Sequence, residues 1–297
     1  MVYDAIAGQP EAKAVGEPFQ ERKQAVVRRF VSSPRSRYAD FDSDLGEEVR
    51  AYLDALLSGE FVGGYERSYN PWSGRHHRVT SFNVVKILRT LPCTDWYRRQ
   101  YPNARHILLI RHPVPTALSR ARNGWHAPSE DFASDPRWLE TLDSRQKQLF
   151  CRLSSGDLFQ RHLAVWIGEH WFLQHENGEL RSHGVNLVGF EHLVQDRDSA
   201  GAWLVALTDA NDPDGLRRRL GAPSRSSRYS TATSVEAMVG GNTETLVSGW
   251  MSTVDSQQIA IAGELLETFG FTGYRAQHSE PADWLANPPW RRENPVK

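Results

Sequence analysis

Cysteine is nearly absent: Cys93 and Cys151 are the only two in 297 residues. Two thiols build no disulfide framework, and neither has the histidine and acid neighbours of a nucleophile, so buried or neutral thiols are expected. Long apolar runs are missing as well. No segment reaches the length of a membrane span and nothing near residue 1 reads as a signal peptide, so a cytoplasmic protein without a membrane span is expected. Charge of one sign is not in excess: 35 basic and 36 acidic side chains leave a formal net charge of −1, which argues against a nucleic-acid partner. Lysine is confined to positions 13, 23, 86, 147 and 297, so arginine dominates and Lys86 stands out. His76 and His77 have no cysteine or acid at ligand spacing, and no metal site is expected. Internal repeats and a second-domain boundary are lacking too.

What is present centres on residues 106–122, HILLIRHPVPTALSRAR. The run Ile107-Leu108-Leu109-Ile110 is too short for a helix and suits a strand buried on both faces, as in a parallel sheet. Pro113 and Pro115 end any ladder, and from Thr116 the pattern turns helical. Arg111 therefore sits at the carboxyl end of a strand and Ser119 in the first turns of the following helix, where open α/β sheets bind ligands. A guanidinium and a hydroxyl near a helix N-terminus suit a phosphate group. On the residues alone, Arg111 paired with a core carboxylate and Ser119 as a plain helix residue is the other account.

Further elements follow from periodicity. Residues 45–57 carry apolar side chains at helical spacing, with Ser58-Gly59 as the stop. A second strand is expected within Ser81–Leu91, centred on Val84 to Leu88, and a third over Asn186–Glu191. Helices are expected over 157–175, 202–207 and 256–269. Residues 1–15 show no strand-like run, residues 124–153 read as a polar insertion over the site, and the tail 281–297 as ordered only by docking.

The strand, the Arg-x-Pro, five residues and a serine in a proline-initiated helix resemble the 3′-phosphate segment of sulfotransferases that use 3′-phosphoadenosine 5′-phosphosulfate (PAPS). The resemblance implies that Arg111 and Ser119 hold the 3′-phosphate, and that Arg228, within SRSSRY at 224–229, closes that site; a solvated basic loop is the alternative for Arg228. It implies an α/β fold of P-loop type, a central parallel sheet flanked by helices in a single domain. It also implies sulfuryl transfer from PAPS to a hydroxyl or amine of a small-molecule, carbohydrate or peptide acceptor. The family's N-terminal 5′-phosphosulfate loop is not recognisable. Ser33-Pro34-Arg35-Ser36 matches its first half only, since Arg37 replaces the glycine that lets backbone amides close around the anion. Gly16-Glu17-Pro18-Phe19 resembles the segment that follows that loop, so the chain is expected to start downstream of it. Leu91-Pro92, nineteen residues before Arg111, resembles the family's Leu-Pro. Thr90 stands where cytosolic members place a catalytic histidine. Glu17 is then the candidate base, and Lys86 and Arg89 are the candidate cations for the transferring group; an exposed loop carboxylate and salt-bridged cations are the alternatives. NLVGFEHL resembles a Tyr-Glu-x-Leu segment with Phe190 for tyrosine, and Trp166 resembles a core tryptophan of the family. A non-catalytic nucleotide-binding remnant is the rival function. A P-loop kinase is disfavoured by the missing Walker A loop and Mg²⁺-binding acid.

Overall fold

A computed structural model describes residues 1–19, 45–58, 82–88, 90–222 and 232–291. It comprises two compact units, Met1–Ala104 with Leu204–Leu220, and Arg105–Trp203 with Gly221–Lys297. The fold is mixed α/β and mostly helical. Among the described residues the strands form two separate two-stranded parallel sheets, and one central sheet is not seen. No helix of the described residues is long and apolar enough to cross a membrane.

In the first unit, helix α1 (Val2–Ala7) leads into strand β1 (Ala12–Gly16). Helix α2 (Leu45–Ser58), strand β2 (Phe82–Lys86) and helix α3 (Thr94–Gln100) follow. Strand β1 corrects the expectation of no strand before residue 16. Its residues Ala12, Ala14 and Val15 are small but buried, and β2 supplies a full parallel register from Ala12 opposite Phe82 to Gly16 opposite Lys86. A ready ladder thus overrides weak strand propensity. Strand β2 lies a little earlier than its sequence centre, because Leu88 is exposed beyond it. The periodic face of α2 buries Val49, Tyr52, Leu53 and Leu56 against Val15, Phe19, Trp96 and Tyr97.

In the second unit, strand β3 (Ile107–Ile110) is followed by helix α4 (Pro113–Arg122) and three further helices, α5 (Ser129–Ala133), α6 (Pro136–Glu140) and α7 (Ser144–Ser154). Then come helices α8 (Leu158–His170) and α9 (Phe172–Ser182), strand β4 (Asn186–Gly189) and helix α10 (Phe190–Gln195). Strands β3 and β4 pair in parallel from Ile107 opposite Asn186 to Ile110 opposite Gly189. Helix α8 packs along α4. Reciprocal Asp-x-x-Gln caps start α7 (Asp143, Gln146), α8 (Asp157, Gln160) and the helix Ser256–Thr268 (Asp255, Gln258), satisfying amides that a helix start leaves free.

Residues 124–153 are not the polar insertion expected. Phe132, Trp138 and Phe150 lie on the inward faces of α5, α6 and α7 and are buried, with Trp138 edge-on to Trp171 and stacked over Phe269. Polar residues dominate the sequence there only because they cover the outer faces. Part of the tail is likewise built in, since Leu285 is buried and the indole of Trp290 donates to Asp196 at 3.0 Å and packs on Trp203.

Gly189 ends β4 where the tail crosses it. A Cβ there would stand 2.7 Å from Cγ of Pro281. Gly189→Ala is expected to destabilise the protein by about 1–3 kcal/mol through overpacking, read as a lower urea midpoint with an unchanged m-value.

Candidate functional site

Of the two residues singled out by sequence, Arg111 stands on the turn from β3 into α4 and Ser119 lies within α4. Arg111 follows β3 directly and is half-buried, with its Nε fully covered and without a hydrogen-bond partner. Its guanidinium lies over the Phe190 ring, Cζ 4.7 Å from the centroid. Burial lowers its proton affinity, and the nearby charge of Glu191 acts to restore it. Even so, Arg111 forms no ion pair with a carboxylate among the described residues. The core carboxylate nearest in effect, Glu191, acts on Arg111 through its charge without a direct ion pair. Ser119 lies six residues along α4 from Pro113; its carbonyl accepts from the backbone N–H of Asn123 at 3.2 Å and from Asn123 Nδ2 at 2.7 Å.

The start of α4 offers less to an anion than its position suggests. Pro113 and Pro115 have no N–H. The Val114 N–H donates to Nδ1 of His112 at 3.2 Å, and the Thr116 N–H donates to the His112 carbonyl at 3.3 Å. No amide of this first turn is left free, so the helix start itself offers no N–H to an anion.

Beneath the turn lies a buried polar cluster that sequence reasoning did not assign. Glu191, in the first turn of α10, is 2% exposed. One carboxylate oxygen accepts the backbone N–H of His112 at 3.0 Å, and the other accepts the Tyr274 O–H at 2.7 Å. The Tyr274 hydroxyl also lies 3.2 Å from the carbonyl of Ile110. The indole of Trp166 donates to the carbonyl of Arg111 at 3.0 Å. His112 is wholly buried between Trp250 and Tyr274. Since its Nδ1 accepts from Val114, its Nε2 carries the proton and donates to the Arg275 carbonyl at 3.2 Å. Burial pushes His112 down to about 4, aided by the neighbouring Arg111 charge, and pushes the Glu191 carboxyl up. The sequence signal for Glu191 was its place in the segment that resembles Tyr-Glu-x-Leu, which was given no role, and that for Tyr274 was a tyrosine soon after Gly270.

In the first unit, Glu17 and Lys86 meet at the carboxyl ends of β1 and β2. The Glu17 N–H donates to the Lys86 carbonyl at 2.7 Å, and Lys86 Nζ lies 3.6 Å from Oε1 of Glu17 and 5.8 Å from the Tyr3 ring centroid. The left-handed residue of this turn is Glu17 itself, at φ 55°. Thr90 is buried and left-handed at φ 61°, its hydroxyl 2.7 Å from that of Tyr97. Arg89 and Arg228, like the partial loop at residues 33–37, lie outside the described residues. Comparison of the chain with protein-family models, with curated proteins and with solved structures finds no match in any of the three.

The buried neutral His112 gives stability a pH dependence. Its native pKa lies below the ordinary value near 6.5, so its contribution is complete above that pH and declines as pH falls toward about 4. The loss is on the order of 3 kcal/mol. Glu191 titrates with the opposite sign, because its native pKa is raised. Urea unfolding between pH 7.5 and 4.5 is expected to show a shallower slope for His112→Asn than for the parent, the difference isolating the histidine.

Proposed function

We propose that this chain binds a nucleotide bearing a 3′-phosphate through Arg111 and Ser119, and transfers a sulfuryl group from PAPS to a hydroxyl or amine. The observation that carries the proposal is Arg111: a guanidinium with a covered Nε, at the carboxyl end of a parallel strand, without a carboxylate paired to it. A cation drawn into a protein is costly, and Glu191 offsets that cost by charge without occupying the guanidinium donors, which leaves them to a ligand anion. A planar guanidinium presents donors in the geometry that a phosphate accepts. With the first-turn amides of α4 already engaged, the Ser119 hydroxyl takes the role of second donor. Glu17 takes the role of base for the acceptor proton, and Lys86, with Arg89, that of cation for the transferring group. The acceptor class is a small molecule, carbohydrate or peptide. Sulfuryl transfer asks the protein for position and charge more than for covalent chemistry, which suits such a residue set.

A second reading, nucleotide binding without turnover, is favoured by Thr90. Its hydroxyl is buried against Tyr97 and has no basic nitrogen to offer. A thermal shift with the desulfated product (3′-phosphoadenosine 5′-phosphate, PAP) but no consumption of PAPS is the outcome that supports it.

Arg111→Ala is expected to weaken PAP binding by roughly 1.5–3 kcal/mol, measured by titration calorimetry, as for loss of a charge-assisted hydrogen bond. Equal affinity in parent and variant overturns the assignment. In a PAPS turnover assay, Glu17→Gln is expected to lower kcat by about 10²–10⁴ with PAP affinity nearly unchanged. An unaltered kcat removes Glu17 from the mechanism.

A further inference from the structure

We infer that Glu191 is the positioning residue of the Arg111 anion site, fixing the strand-to-helix turn while leaving the guanidinium charge available to a ligand. The inference rests on the anion-binding reading of Arg111.

A carboxylate that enters a protein core beside an arginine ordinarily pairs with it. Glu191 does otherwise. One of its oxygens is engaged by the His112 N–H and the other by the Tyr274 O–H. Both donors are tied to the turn, since His112 follows Arg111 in the chain and the Tyr274 hydroxyl also reaches the carbonyl of Ile110. The carboxylate therefore fastens the residue after Arg111 directly and the residue before it through Tyr274. Phe190, its chain neighbour, supplies the ring under the guanidinium. The first turn of α10 thus sets both the backbone of Arg111 and the surface on which its side chain rests. The negative charge stays close enough to favour the charged arginine and yet forms no ion pair with it. An anion from solution then completes the site without first displacing a salt bridge.

Substitutions separate positioning from general support of the core. Glutamine at 191 keeps an acceptor for the His112 N–H, and its amide can donate to the Tyr274 oxygen while that hydroxyl turns to the Ile110 carbonyl. Alanine removes both links. Tyr274→Phe keeps the ring and removes one link. PAP affinity by titration calorimetry, with urea unfolding run in parallel, is expected to fall about tenfold or more in Glu191→Ala and less in Tyr274→Phe. In Glu191→Gln it is expected to stay within about threefold of the parent. Because Glu191 acts through Arg111, adding Glu191→Ala to Arg111→Ala should cost no further affinity. Equal losses from Glu191→Ala in both backgrounds overturn the inference, as that pattern marks a core residue felt everywhere. Should Glu191→Ala fail to fold, the same comparison with Tyr274→Phe, in the parent and in Arg111→Ala, decides it in the same way. Full affinity in Tyr274→Phe and Glu191→Ala while Arg111→Ala binds weakly overturns the inference alone. A parent that binds no PAP, or an Arg111→Ala that binds as tightly as the parent, overturns the anion-site reading and this inference with it.

Discussion

The second unit depends on a buried carboxylate each of whose oxygens is met by a neutral donor. Removing an ionisable group from water is expensive, and charge-assisted hydrogen bonds are among the few interactions strong enough to offset it. Glu191 receives two, one from a backbone amide and one from a phenol. Those bonds join three segments far apart in the chain: the exit of β3, the start of α10, and the stretch after the Ser256–Thr268 helix. His112, Trp166 and Tyr274 pack around the same point, so apolar burial and polar satisfaction reinforce one another. The Arg111 turn is held by this arrangement, whereas the helix that follows contributes no spare amide.

The first unit meets the same topological situation with different chemistry. Its parallel pair also ends in charged residues, but there the acid and the base pair with each other, at 3.6 Å, on partly exposed side chains. The pair forms because Gly16 and Lys86 are register partners and the left-handed turn at Glu17 brings its side chain beside Lys86. A non-glycine residue in that conformation carries a local backbone cost of order 1–3 kcal/mol, sustained here by the Glu17 N–H bond to Lys86 and by the burial of Phe19 two residues on.

Much of this was legible in the sequence, for definable reasons. β3 was visible from its continuous apolar run of four residues, although Leu109 is exposed and the strand is not covered on both faces as expected; β4 showed in Leu187-Val188, and α2, α8 and the Ser256–Thr268 helix in their helical apolar spacing. β1 was not, since Ala-Lys-Ala-Val-Gly has no strand signature until β2 pairs with it. The switch from β4 into α10 at Phe190 was also hidden, because Phe-Glu continues the strand pattern and the backbone turns for tertiary reasons. Arg111 and Ser119 were singled out through local spacing and the resemblance that spacing carries. Glu191 was not, because its partners stand 79 and 83 residues away, and no periodicity records such a link. The aromatic core of 124–153 was masked by its own polar exterior.

Two carbonyls at the end of β3 lie against aromatic donors, with the single Tyr274 proton shared between Ile110 and Glu191. The carbonyl of Ile110 faces the phenol of Tyr274, and that of Arg111 faces the indole of Trp166. The strand is in effect capped, much as a helix is capped by a hydroxyl. A strand end closed in this way is held against fraying. Rigid bulky donors also leave little room for the terminal peptide to rotate. The guanidinium attached there therefore inherits the stiffness of the core rather than the looseness of a loop.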